Sequence, residues 1–184
     1  MAIQQSNSLP DGPVDRFSTF RDYISSGEGP SYNVIHGGLE LDLTGKTLGE
    51  IRELQRTVRN DYGVESSAMG RYQIIGNTLD MLMGQQPDKF NSDFVFDERG
   101  QDMLADALIE HRMKIAIKKN GGTDNLDGLI DHTAKQMGLE WAAFPDLTTG
   151  LSQHHQVGSN KANKEVGGYR EAIEEFVLAY LRPD

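Results

Sequence analysis

The chain has 184 residues, no cysteine, and a net charge of −10 from 18 Lys and Arg against 28 Asp and Glu. That length carries one domain with a full hydrophobic core. The missing thiols exclude zinc ribbons, thiol catalysis and disulfide frameworks, and the acidic balance argues against a basic sheath for nucleic acid.

Met1 to Pro13 is polar, with two prolines and one glycine, and lacks the basic and apolar regions of a secretory signal. It is expected to be a flexible lead (1–13) ahead of one domain over 14–184. Val14, Phe17, Phe20, Tyr23 and Ile24 recur at three-to-four spacing and predict an amphipathic helix ending among Ser25 to Gly29. The period then changes. Tyr32 to Ile35 is β-prone, Gly37-Gly38 signals a turn, and Leu39, Leu41 and Leu43 alternate with Glu40 and Asp42, which predicts a small β-hairpin. Thr47 with Glu50 forms a capping-box pattern for a helix through Leu48, Ile51, Leu54 and Val58, closed by Gly63.

A loop from Val64 to Gly70 leads into Arg71-Tyr72-Gln73 and a helical run through Ile75, Leu79 and Leu82. Asp97 opens another helix with Met103, Leu104, Ala107 and Leu108 inward, and Asp124 or Asn125 caps a helix through Leu129, Ile130 and Met137. Trp141 and Phe144 sit in an aromatic loop and are expected to pack in the core. Asp146 to Gly168 is polar, and a last helix uses Tyr169, Ile173, Phe176, Val177 and Tyr180. Five or six helices around one hairpin make a mostly helical α+β domain with two sub-lobes. No apolar run approaches the ~18 residues of a membrane span, so no membrane insertion is expected.

The segment Ser26-Gly27-Glu28-Gly29-Pro30 places a carboxylate where an amphipathic helix ends. Flanking glycines let other backbone or a ligand come close. The negative end of the helix dipole and partial burial both disfavour ionisation, so Glu28 is expected to hold a proton near neutral pH. A protonated carboxyl at a cleft edge is what a glycosidic leaving oxygen requires.

Three segments in order carry a resemblance: Ser26-Gly27-Glu28-Gly29, then Tyr32-Asn33-Val34-Ile35-His36-Gly37-Gly38, then Ser67-Ala68-Met69-Gly70-Arg71-Tyr72-Gln73-Ile74. Together they resemble the lysozyme-like superfamily, specifically the lambda-type phage endolysins and related muramidases. Trp141-Ala142-Ala143-Phe144-Pro145 is similar to their Trp-Ala-Ser-Leu-Pro segment. The resemblance spans about Phe17 to Leu181. It implies a lysozyme-like fold, with two sub-lobes flanking a saccharide cleft, that cleaves the β-1,4 bond between N-acetylmuramic acid and N-acetylglucosamine. No cofactor and no metal are expected. By the resemblance Glu28 is general acid then base, and Tyr32, Tyr72 and Gln73 lie along the saccharide cleft, Tyr72 stacking on a sugar and Gln73 bonding through its amide; His36 on the same hairpin is a further expected substrate contact. The chain departs from the family in the capped helix over Thr47 to Tyr62 and in His36, which stands where the lambda-type enzyme has an apolar residue.

Glu40 and Asp42 share a face of the predicted strand. Either is a possible second carboxylate for a hydrolytic muramidase, and solvent decoration of a half-buried strand is the other reading. The lambda-type family implies instead a lytic transglycosylase with one glutamate and a 1,6-anhydro product. His154-His155 has poor ligand geometry for a metal, and Gly150 to Asn163 reads as a cleft-side or mobile surface loop. The expected partner is the peptidoglycan glycan strand, reached by holin-dependent release or carriage in a virion. A non-catalytic saccharide-binding virion protein of the same fold, and a chitin-cleaving enzyme, are the alternatives.

Overall fold

The computed structural model describes residues 15–28, 31–154 and 165–182; the polar lead lies outside them, as does the 155–164 part of the late polar loop. Among the described residues there are six helices, α1 (Ser18–Glu28), α2 (Leu48–Tyr62), α3 (Gly76–Gln85), α4 (Glu98–Asn120), α5 (Leu126–Glu140) and α6 (Val166–Leu181). The mostly helical architecture is the expected one.

Local chemistry explains the ends of these helices. The Thr47 hydroxyl accepts from Glu50 N at 3.4 Å while the Glu50 carboxylate accepts from Thr47 N at 2.8 Å, so the capping box forms in full. Gly63 then closes α2 in the left-handed region at φ 67°. Asp97 accepts from Gly100 N at 2.7 Å and starts α4, and Asn125 accepts from Gly128 N at 3.1 Å and starts α5. Thr47→Ala is expected to destabilise the protein by about 1 kcal/mol and lower Tm by about 2–4 °C, read by thermal circular dichroism.

Strand structure among the described residues is reduced to isolated antiparallel bridges, including Val34 with Glu40, Ile35 with Met69, and Met69 with Ile74. The predicted hairpin turn is there: Ile35 N donates to Leu39 O and Leu41 N to Asn33 O, each at 2.8 Å, around Gly37 and Gly38 at φ 86° and 84°. The alternating leucines do not share a buried face, however. Leu43 is buried and Leu39 is 44% exposed. The reason is that the return arm leaves the ladder almost at once. The Asn33 side-chain oxygen takes Leu43 N at 2.9 Å and Thr44 N at 3.0 Å, substituting an amide clamp for further rungs.

The core is one apolar cluster running from Phe20 to Val177. Helix α4 lies at its centre, with Leu104, Ala105, Ala107, Leu108 and Ile109 all buried in sequence, so nearly every side of its middle turns faces protein. It packs along α5, and α6 closes against α5 and α1. Glu140 at the end of α5 is buried against Arg112 of α4 and accepts from the Thr78 hydroxyl of α3 at 2.9 Å, tying three helices through one carboxylate.

Candidate active site around Glu28

Helix α1 is held by rings. Phe20 stacks on Phe176 of α6 with centroids 4.8 Å apart, Tyr23 stacks on Phe144 at 5.7 Å, and Phe144 stacks on Tyr169 of α6 at 4.6 Å. Aromatic pairs at these separations add directional attraction to area burial. The same cluster therefore fixes α1, α6 and the loop after α5 relative to one another. Trp141 and Phe144 are buried, as expected for core aromatics.

Glu28 is the last residue of α1, and the ring cluster brings its carboxyl to that loop: Ala143 N donates to Glu28 Oε1 at 2.9 Å. Burial pushes the carboxyl above its ordinary value of 4.5, and the Ala143 bond only partly opposes the shift. The end of α1 adds its own negative partial charge. With Oε1 accepting from a backbone N–H, the acid proton belongs on Oε2.

The raised value has a stability consequence. The native state binds this proton more tightly than the unfolded chain does, so the stability it contributes is present below about 4.5 and lost as pH rises through the folded value. Glu28→Gln carries no charge and keeps an acceptor for Ala143. The variant is expected to be more stable than the parent at neutral pH, with the difference vanishing at acid pH. Denaturant melts across pH measure it.

Tyr72 differs from its expected role. Its ring is 2% exposed and lies inside the core, so it offers no face for a sugar to stack on. Its hydroxyl donates to Asp102 Oδ1 at 2.6 Å, and the Tyr32 hydroxyl donates to the same oxygen at 2.9 Å. Burial first, and the Asp102 carboxylate second, push both phenols up. Tyr32 is only half-buried, and Arg71 lies over its ring at 5.0 Å. Gln73 also differs. Residues 70–73 form a tight turn bridged by Met69 and Ile74 rather than a helix start, and α3 begins at Gly76. Gln73 adopts φ 47° and its side-chain nitrogen donates back to Gly70 O at 2.9 Å, so its amide closes its own turn.

The conserving contacts nevertheless gather these segments. Trp141 Nε1 donates to Tyr72 O at 3.1 Å, two residues from Ala143. Arg71 donates to Asp22 of α1 at 2.9 Å, six residues ahead of Glu28, about 9 Å along the helix. Glu28, Tyr32 and the 70–73 turn thus belong to one connected arrangement. His36 is half-buried on the hairpin turn, its backbone N–H donating to Ala68 O at 2.9 Å. Glu40 and Asp42 are exposed on the return arm.

Two supporting residues escape sequence reasoning. Gln101 is 0% exposed; its oxygen accepts from Arg71 N at 2.9 Å and its nitrogen donates to Tyr32 O at 2.9 Å and Phe96 O at 3.1 Å. Asp102 takes the two phenols described above. A signal exists for the first: Gln101, Leu104 and Leu108 share one helix face, and an amide on an apolar face needs internal partners.

His154 Nε2 donates to Leu139 O at 3.0 Å, and His155 lies outside the described residues. Among the described residues no group of three or more His, Asp or Glu could hold a metal ion, and no helix is long and apolar enough to cross a membrane. No family model matches the chain, and no curated protein or solved structure does.

Proposed function

We propose that the protein is a peptidoglycan glycosidase with a lysozyme-like fold, cleaving the β-1,4 bond between N-acetylmuramic acid and N-acetylglucosamine with Glu28 as its acid. The observation that carries this reading is the environment of Glu28: a carboxyl at the end of α1, pushed up by burial, with one oxygen steadied by a loop N–H. The upward shift favours the protonated form that a glycosidic oxygen needs from a general acid.

The chemistry favoured is that of a lytic transglycosylase. Glu28 gives its proton to the glycosidic oxygen, the bond from that oxygen to the muramic C1 breaks, and N-acetylglucosamine leaves with a free 4-hydroxyl. The muramic C6 hydroxyl then attacks C1, its proton passes to the Glu28 carboxylate, and a 1,6-anhydro ring closes with the acid restored. One observation favours this over hydrolysis with a second hairpin carboxylate: Glu40 and Asp42 are exposed on an arm that leaves the ladder early, without the burial that surrounds Glu28. Holin-dependent release and carriage in a virion are both compatible delivery routes.

Mass analysis of muropeptides released from purified sacculi tests the proposal. Anhydro-muramoyl ends are expected. Reducing ends would make the enzyme a hydrolase, and no released fragments would favour a non-catalytic saccharide-binding protein.

A further inference from the structure

A cavity of about 400 Å³ opens between α5, α6 and the turn after Pro145, lined by Asp131, His132, Lys135, Asp146, Thr148 and Arg170. Its charges are of both signs. Arg170 Nη1 donates to Asp131 at 2.7 Å and Nη2 pairs with Asp127 at 3.9 Å, which leaves guanidinium donors over, and its side chain is 42% exposed. Asp146, also lining the cavity, is held by Thr148 N and Thr149 N, each at 2.9 Å. Those two bonds, with Lys135 nearby, keep its carboxyl below the ordinary range. In a chain of net charge −10 this cavity sets the cations Arg170 and Lys135 among the carboxylates Asp131 and Asp146, with the His132 ring alongside. A ligand complementary to it carries carboxylate and ammonium groups together.

The position of the cavity suggests which ligand. Asp146 follows Ala143 by three residues, a span of at most ~10 Å, and Ala143 is the residue that holds Glu28. Cavity and acid therefore share one loop. In peptidoglycan a peptide with several carboxylates and a side-chain ammonium hangs from the muramic sugar whose bond is to be cut. We infer that this cavity seats the stem peptide of that muramoyl residue, its carboxylates toward Arg170 and Lys135 and its ammonium toward Asp146. The inference rests on the glycosidase reading for its substrate, but the binding itself is measurable separately.

Two measurements test it. The first is titration of the whole protein with free stem tetrapeptide, followed by nuclear magnetic resonance, in the parent, Arg170→Ala and Lys135→Ala. Binding in the parent should weaken at least fivefold in each variant. A peptide with amidated carboxylates should bind no better to the parent than the free peptide does to Arg170→Ala. The second is the ratio of kcat/KM on stem-bearing strands to that on strands stripped by an amidase. This ratio should fall five- to tenfold in Arg170→Ala. The two pairs broken there, to Asp131 and Asp127, are exposed ones that contribute little to folding. A parent that cleaves both strands but binds no peptide, or a ratio unmoved by either variant, overturns the cavity assignment and leaves the glycosidase reading standing. A parent that binds the peptide through Arg170 yet cleaves neither strand supports the cavity and overturns the glycosidase reading.

Discussion

Glu28→Gln should lower the rate of glycan cleavage by about 10²–10⁴ while leaving the protein folded. The amide reproduces the shape of the carboxyl and keeps an oxygen for the Ala143 N–H, which in the parent sits at 2.9 Å. It has no acid proton to give. The loss should therefore fall on kcat, because the leaving oxygen is unassisted in the transition state while the ground-state contacts persist. Turbidity clearance and muropeptide release from purified sacculi read it. The companion variant Glu28→Asp keeps an acid but withdraws it by one methylene, and should retain measurable activity below that of the parent. The parent's own rate should fall as pH rises through the raised Glu28 value, since only the protonated form is competent. A Glu28→Gln protein that is more stable than the parent and inactive would separate chemistry from folding, since the burial that favours the protonated acid is what destabilises the ionised one. Undiminished clearance by Glu28→Gln removes the assignment.

What the sequence reveals here follows the range of the interactions involved. Thr47 with Glu50, Asp97 with Gly100 and Asn125 with Gly128 are contacts three residues apart, and each helix start they imply is where the structure has it. The candidate acid Glu28 is half legible: its place at the end of an amphipathic helix is local, but what singles it out is the ordered resemblance of three segments. Its partner is not legible, because Ala143 lies 115 residues away and is brought there by rings on α1 and α6. The same distance problem misplaces Tyr72. The resemblance implies a sugar-stacking Tyr72, but Asp102, 30 residues on, supplies an internal acceptor for its hydroxyl and the ring is buried. The turn at Gly70 to Gln73 fails differently. Nothing in glutamine predicts a left-handed backbone, and φ 47° at Gln73 is sustained by the side-chain bond to Gly70 O and by Gln101 gripping Arg71 N.

That grip makes Gln101→Ala the substitution expected to damage the fold most. The wild-type amide joins three segments that helical periodicity does not connect: the 70–73 turn through Arg71 N, the approach to the hairpin through Tyr32 O, and the start of α4 through Phe96 O. Truncation strips the amide partner from all three backbone groups at a site that is 0% exposed, and it leaves a void where the side chain packed. Each buried group so deprived costs about 1–3 kcal/mol. Partial relaxation brings the expected total to about 3–5 kcal/mol and a Tm lower by about 10 °C. Gln101→Glu separates the two halves of the bond set. It keeps the oxygen for Arg71 N but turns a second oxygen toward the carbonyls of Tyr32 and Phe96, so it should be destabilised as well. Gln101→Met restores most of the volume without the bonds and should recover only the packing share. Because the turn it steadies reaches α1 through Arg71 and Asp22, the surviving folded fraction of Gln101→Met should also cleave glycan more slowly than its folded amount predicts. Melting temperature and rate per folded molecule, measured on the same samples, separate these effects. A Gln101→Met protein with parental melting and parental turnover would show that the amide does not hold the turn, and with it would go the view that α4 positions the site from behind.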